Sequence, residues 1–245
     1  MRVQYISDMH LERKANRDFL AKNPIQPQAD YLFLMGDIVP LQSIDQIAFF
    51  VDHISNVFSQ VFWLPGNHEF YGSDYFQYES CNICIRKNVH LINNQFVVLE
   101  DQEVIFSTLW SMLDINKRWD LQYHINDFKY IQYKRDYIDV LDYNKFHMSA
   151  KSFVVSRLND TMTENKVVIT HHCPIQLSQL KNDNLQSAYC SRFEDLIQKY
   201  QPNFWFYGHT HTSDDVIRIN QTKLITNQYL YGNKNTINQT KCIDL

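Results

Sequence analysis

The sequence predicts an α/β fold with mixed sheets, and three observations carry the prediction. Short apolar, β-rich runs recur along the chain and each ends in polar or turn-forming residues, as buried strands do. Longer stretches with helical spacing stand between them, so strand and helix alternate. Two pairs of runs lie too close together for a crossover helix, which adds antiparallel hairpins to the parallel pairs.

The expected strands are residues 3–6, 31–35, 61–64, 96–99, 104–107, 167–170 and 204–207. The expected helices are 44–58, 75–87, 145–159 and 191–200, and the expected hairpins join 96–99 to 104–107 and 216–219 to 223–226. No repeat, low-complexity tract or Gly/Ser linker interrupts the chain, so a single domain over residues 1–245 is expected. Residues 111–146 mix tryptophan, tyrosine, lysine and aspartate without clear periodicity. A stretch of that kind is expected to be an excursion, either at the rim of a substrate site or packed as structure.

Composition narrows the function. The chain has 23 basic and 27 acidic residues, a net charge of −4, which disfavours the phosphate-neutralising surface of a duplex nucleic-acid binder. No apolar run approaches the roughly 18 residues of a membrane span, and the opening eight residues read as a strand, not a secretory leader. A cytoplasmic protein with no membrane partner is expected. Five scattered cysteines do not form a disulfide framework. Cys81 and Cys84 fall in the expected helix 75–87 and read as helix-face packing, since no second pair completes a zinc site.

The residues able to do chemistry cluster just after expected strands: Asp8-Met9-His10, Gly36-Asp37, Gly66-Asn67-His68-Glu69, His171-His172 and Gly208-His209-Thr210-His211. In an open α/β sheet the carboxyl ends of the strands line the ligand crevice, so five segments can deliver side chains to one place. Carboxylate, amide and imidazole donors without thiolate suit manganese, iron or zinc better than calcium. Asp8, His10, Asp37, Asn67, His171, His209 and His211 make seven donors, and one shared aspartate brings them to the roughly eight positions that two ions need. Taken singly, each motif is equally well explained by turn chemistry or a packed histidine. Their joint order is not.

That order, D-x-H, G-D, G-N-H-E, a strand-end H and G-H-x-H, resembles the calcineurin-like metallophosphoesterases from Asp8 to His211. The resemblance implies a four-layer α/β/β/α sandwich of two mixed sheets flanked by helices. It also implies that Asp8, His10 and His211 hold one divalent ion, Asn67, His171 and His209 hold another, and Asp37 bridges them. His68 is then a non-ligand catalytic residue, stabilising the transition state or protonating the leaving oxygen. Glu69 either caps a helix or orients a neighbour. His172 has no clear role, and His53, His90, His124 and His147 read as surface or core residues.

The implied activity is hydrolysis of a small phosphomonoester or phosphodiester by a metal-bridging hydroxide, because coordination brings the pKa of water toward about 7. The alternatives are a non-catalytic interaction platform on the same fold, and a phosphoprotein phosphatase. Platforms tend to lose motif residues, whereas all seven donors and His68 are present. Many members continue G-D as G-D-x-x-D, but here Pro40 follows Val39. The protein phosphatases place arginines near G-D and G-N-H, where this chain has Pro40-Leu41 and Phe70-Tyr71. Ile38, Val39, Pro40, Phe70 and Tyr71 suit an organic group better than a phosphoprotein surface, and basic residues of 111–146 remain a possible source of the missing charge.

Overall fold

A computed structural model describes residues 1–160, 163–177, 185–212, 216–229 and 240–245. In chain order its elements are β1 (Arg2–Ile6), α1 (Lys14–Lys22), β2 (Tyr31–Met35), α2 (Ala48–Val57), β3 (Gln60–Leu64), β4 (Cys81–Arg86), β5 (Val89–Asn93), β6 (Gln95–Leu99) and β7 (Gln102–Ser107). There follow α3 (Arg118–His124), α4 (Asp127–Tyr130), the short pair β8 (Gln132–Tyr133) and β9 (Asp136–Tyr137), and α5 (Val140–Asn159). The chain continues with β10 (Asn165–Thr170), α6 (Glu194–Tyr200), β11 (Phe204–Tyr207), β12 (Ile217–Ile219), β13 (Thr222–Thr226) and β14 (Lys241–Asp244).

Two six-stranded sheets result, ordered β14-β1-β2-β3-β5-β4 and β12-β13-β11-β10-β7-β6. Each has four parallel strands at its centre and an antiparallel strand at either edge. Parallel strands are covered on both faces, and the side chains obey the period of two that this demands. Val3, Tyr5, Phe33, Met35, Phe62 and Leu64 of the first sheet meet Val104, Phe106, Val167, Ile169, Phe204 and Phe206 of the second in one shared core. Their neighbours Leu32, Leu34, Val61 and Trp63 turn outward to pack with Phe50, Val51 and Ile54 of α2. On the other side Ile105, Val168 and Trp205 pack with Val154 of α5 and Ile197 of α6. This is the four-layer sandwich. A fourth cluster, built around Trp110, Leu121, Phe128, Tyr143 and Phe146, is the core of the 111–146 excursion.

The expected helix 75–87 is not formed. A single 3-10 turn covers Tyr75–Gln77, and Cys81–Arg86 is the edge strand β4, paired antiparallel with β5. Ile83 and Ile85 alternate with polar Asn82 and Cys84, a period of two that pairing with β5 exploits. Cys81 is buried and Cys84 exposed, so the two do not share a packed face. Helix α5 begins at Val140, earlier than expected, because Asp139 and Asp142 form a reciprocal capping box.

Candidate metal centre

All the motif residues converge at the carboxyl ends of the parallel strands, and the backbone is bent sharply to bring them there. Asp8, His10, Asp37, His209 and His211 have φ of 57°, 45°, 56°, 70° and 51°, a left-handed conformation unusual outside glycine. Five such residues in one place, at a cost of order 1–3 kcal/mol each, form the kind of strained cluster that marks a functional site. Two glycines permit the crowding. A side chain at Gly36 would strike the His171 imidazole and lie 2.8 Å from the Gly66 Cα, and one at Gly66 would strike the Asp37 carboxylate.

The donors fall into two groups that share Asp37: Asp8, His10, Asp37 and His211, and Asp37, His171 and His209. In the first, His10 Nε2 is 3.1 Å from His211 Nε2 and 3.8 Å from Asp37 Oδ2, and His211 Nε2 is 3.4 Å from Asp8 Oδ1. In the second, His171 Nε2 is 3.3 Å from Asp37 Oδ1 and 3.2 Å from Asn67 Oδ1. Donors bonded at about 2.1 Å to one cation stand about 3.0–3.4 Å apart. The chain therefore presents lone pairs at coordination spacing, and the residues fit divalent ions. Asp8, His10, Asp37, Asn67 and His171 are buried, while the His211 side chain is 46% exposed at the mouth.

The surroundings fix which atom of each side chain faces inward. His171 Nδ1 donates to the Met35 carbonyl at 3.0 Å and His209 Nε2 to the Ala188 carbonyl at 3.3 Å, leaving the other nitrogen of each for the centre. Asn67 Nδ2 donates to Asp127 at 2.8 Å, which turns its amide oxygen toward His171. The Gln228 amide accepts the His211 N–H and donates to Thr210, pinning the Gly208 to His211 loop. Glu69 is neither exposed nor a helix cap: its buried carboxylate accepts the N–H groups of Asp37, Ile38, Val39 and Gly66 and the Trp63 indole. It orients its neighbours by tying the G-D turn to the G-N-H-E turn. Burial and the nearby Asp37 raise its proton affinity.

Charge is distributed unevenly. Although burial opposes ionisation, the surrounding imidazoles hold Asp37 well below the usual carboxylate range and Asp8 below it too. His171 is lifted to about 10 by Asp37 against the effect of burial. His209 is pushed down to about 3 by burial and by His171, so it is neutral. Burial also drives His172 well below its ordinary value. Its ring donates to the Thr108 carbonyl at 3.1 Å and accepts from Tyr143 Oη at 3.0 Å, a packing role.

A cleft of about 510 Å³ opens over the centre, lined among others by Asn67, His68, Tyr71, His124, Asp127 and Tyr189. His124, Ile125, Asn126, Asp127 and Tyr143 of the 111–146 stretch line this cleft, and Leu113, Leu121, Phe128 and Ile131 of the same stretch pack in the fourth core cluster. The described lining contains no lysine or arginine, so Lys117, Arg118, Lys129, Lys134 and Arg135 are not among the residues that line the cleft. Ile38, Val39, Pro40 and Phe70 are buried away from the cleft, and of the apolar neighbours expected there only Tyr71 lines it. His124, read as a surface or core residue, lines it as well. Sequence reasoning missed Asp127, whose partner Asn67 is 60 residues away, and Glu12, which stands two residues past the end of the first motif at His10.

Three comparisons bear on this geometry. The chain is 30% identical, over a gapped alignment of 280 positions spanning 99% of its own length and 96% of the relative, to the uncharacterized protein L509 of Acanthamoeba polyphaga mimivirus. Its fold superposes with a TM-score of 0.73 on the phosphopantetheinyl hydrolase of Mycobacterium tuberculosis, at 17% identity and covering 95% of this chain and 90% of that one. A dimetal phosphatase from Danio rerio gives 0.50 at 13% identity, with 92% and 86% covered. The model of the calcineurin-like phosphoesterases matches residues 1–213, and the chain belongs to that metal-dependent family.

Proposed function

We propose that the chain is a dinuclear metal-dependent phosphoesterase acting on a small phosphomonoester or phosphodiester. The observation that carries this reading is the pair of donor groups sharing Asp37 at the floor of the cleft. Asp8, His10 and His211 would hold one divalent ion, Asn67, His171 and His209 the other, and Asp37 both, with manganese, iron or zinc suiting the donors. When bound, such ions supply positive charge for the phosphoryl oxygens and lower the pKa of coordinated water.

The remaining work falls to the chain. His68 stands beside the donors, its Nε2 4.0 Å from Asp37 Oδ2, and its ring stacks on Tyr71 with centroids 4.3 Å apart. Burial disfavours its charged form, but Asp37 and a hydrogen bond to Glu12 outweigh burial and lift its pKa to about 9. Bound cations would push that value back toward neutrality, where an imidazolium can give its proton to a leaving oxygen. Among the described lining residues there is no lysine or arginine, so the metals would carry most of the charge that these residues can set against a dianion. Tyr71, Tyr143 and Tyr189 line the space where a compact organic group would lie.

The test compares chromogenic monoester and diester substrates with a phosphoserine peptide, using the same divalent metal and pH. A small ester should have the higher kcat/KM. A clear preference for the phosphopeptide would refute the substrate class, and no metal-stimulated hydrolysis of any of them would refute the activity.

A further inference from the structure

The loop after β1 holds a carboxylate that the motifs do not explain. Glu12 Oε1 lies 3.0 Å from His10 Nδ1 and 3.2 Å from His68 Nδ1, and Oε2 is buried with no hydrogen-bond partner among the described residues. An ionised carboxylate has only acceptors, so both imidazoles must donate to the one oxygen. Both rings are thereby turned with Nε2 forward, His10 toward His211 and His68 toward Asp37.

The loop is built to hold that carboxylate still. Asn16 Nδ2 in the first turn of α1 donates to the carbonyls of Met9 and His10, at 2.8 and 3.1 Å. Arg17 Nη1 donates to those of Leu11 and Glu12, at 2.8 and 2.7 Å. On the other side of the cleft Tyr71 covers the face of the His68 ring, while its hydroxyl donates to Asp127 at 2.8 Å. Glu12 therefore fixes the rotation of the His68 ring about an axis that Tyr71 leaves free.

Building on the acid role given to His68 above, we propose that Glu12 is the positioning residue for that proton donor, holding Nδ1–H so that Nε2–H points into the cleft. It touches neither the phosphoryl group nor its leaving oxygen. A donor displaced by about 1 Å can cost on the order of 10² in rate. The loss falls on substrates whose leaving group needs a proton, because an activated phenolate leaves without one.

The test is a double-mutant cycle on the metal-loaded enzyme, using an alkyl ester and a nitrophenyl ester, with metal content measured in every variant. Glu12→Ala should lower kcat for the alkyl ester at least about tenfold more than for the nitrophenyl ester. In a His68→Ala background, adding Glu12→Ala should cost less than about threefold, because the coupled partner is already gone. Glu12→Gln keeps an acceptor and the volume, so it should recover most of the alkyl-ester activity and serves if the alanine variant fails to fold. Nitrogen-15 NMR of the His68 ring should show Nδ1 losing its fixed proton in Glu12→Ala and keeping it in Glu12→Gln. An undiminished Glu12→Ala effect in the His68→Ala background, at matched metal content, would overturn the inference by showing that Glu12 acts through His10 alone. If His68→Ala itself has no effect with the alkyl ester, it is the acid role of His68 that fails.

Discussion

Glu69→Gln should destabilise the metal-free protein by about 2–4 kcal/mol, although it changes one atom. All the polar atoms that reach the Glu69 carboxylate are donors. Oε2 accepts Asp37 N and Gly66 N at 2.8 and 2.7 Å, and Oε1 accepts Ile38 N and Trp63 Nε1 at 2.7 and 3.0 Å, with a longer contact to Val39 N. Glutamine must aim its NH₂ group at one of these pairs, which orphans two buried donors. Each orphan costs about 1–3 kcal/mol, a gross loss of about 2–6 kcal/mol before the loop relaxes. For a chain of this size the expected loss corresponds to a fall in Tm of about 4–16 °C. The assay is urea and thermal unfolding in chelator, so that lost metal does not contribute. A variant within about 0.5 kcal/mol of the parent would show that the five-donor arrangement does not bear on stability, and with it that Glu69 does not hold the two turns together.

Three further outcomes follow from the same geometry. The folded pKa of His171, about 10, lies above its ordinary 6.5, so its pairing with Asp37 steadies the metal-free fold below about pH 6.5 and is lost as pH climbs through 10. Metal uptake at neutral pH must displace that proton, and calorimetric titration in two buffers of different ionisation enthalpy should give different heats; equal heats would contradict it. His68→Ala should lower kcat for a poor leaving group by about 10² to 10⁴ with metal content nearly unchanged, whereas unaltered turnover would remove it from the mechanism. Gln228→Ala should free the His211 backbone N–H and weaken binding of the ion assigned to Asp8, His10 and His211 more than that of the other ion, read by metal titration. An equal effect on both ions would show that the loop is not what sets that site.

Much of this fold was legible because its strands are short apolar runs that stop at the very turns carrying the chemistry. Residues 31–35 and 204–207 read from sequence as they stand in the structure, and both hairpins formed. The failures have physical causes. Helix α1 escaped notice because Arg13 offers no side-chain cap and only Leu20 is buried, so neither a start signal nor an apolar face was present. Strand β4 exposes most of its residues and owes its existence to β5, a partner that no local pattern reveals. The seven donors were visible as motifs at strand ends. The residues that aim them were less so: Glu12 stands two residues beyond the D-x-H motif, while Asp127 and Gln228 act on partners 60 and 17 residues away and carry no local signature.

The central claim is that Asp37 lies between two cation sites, and the most direct measurement is the number of divalent ions bound per chain. Elemental analysis and titration of the purified protein should give two. Asp37→Asn should weaken both ions because both groups of donors include it, while Asp8→Asn should weaken mainly one. One ion at most in the unmutated protein, or an Asp37→Asn variant that keeps both at full affinity, would contradict the dinuclear account.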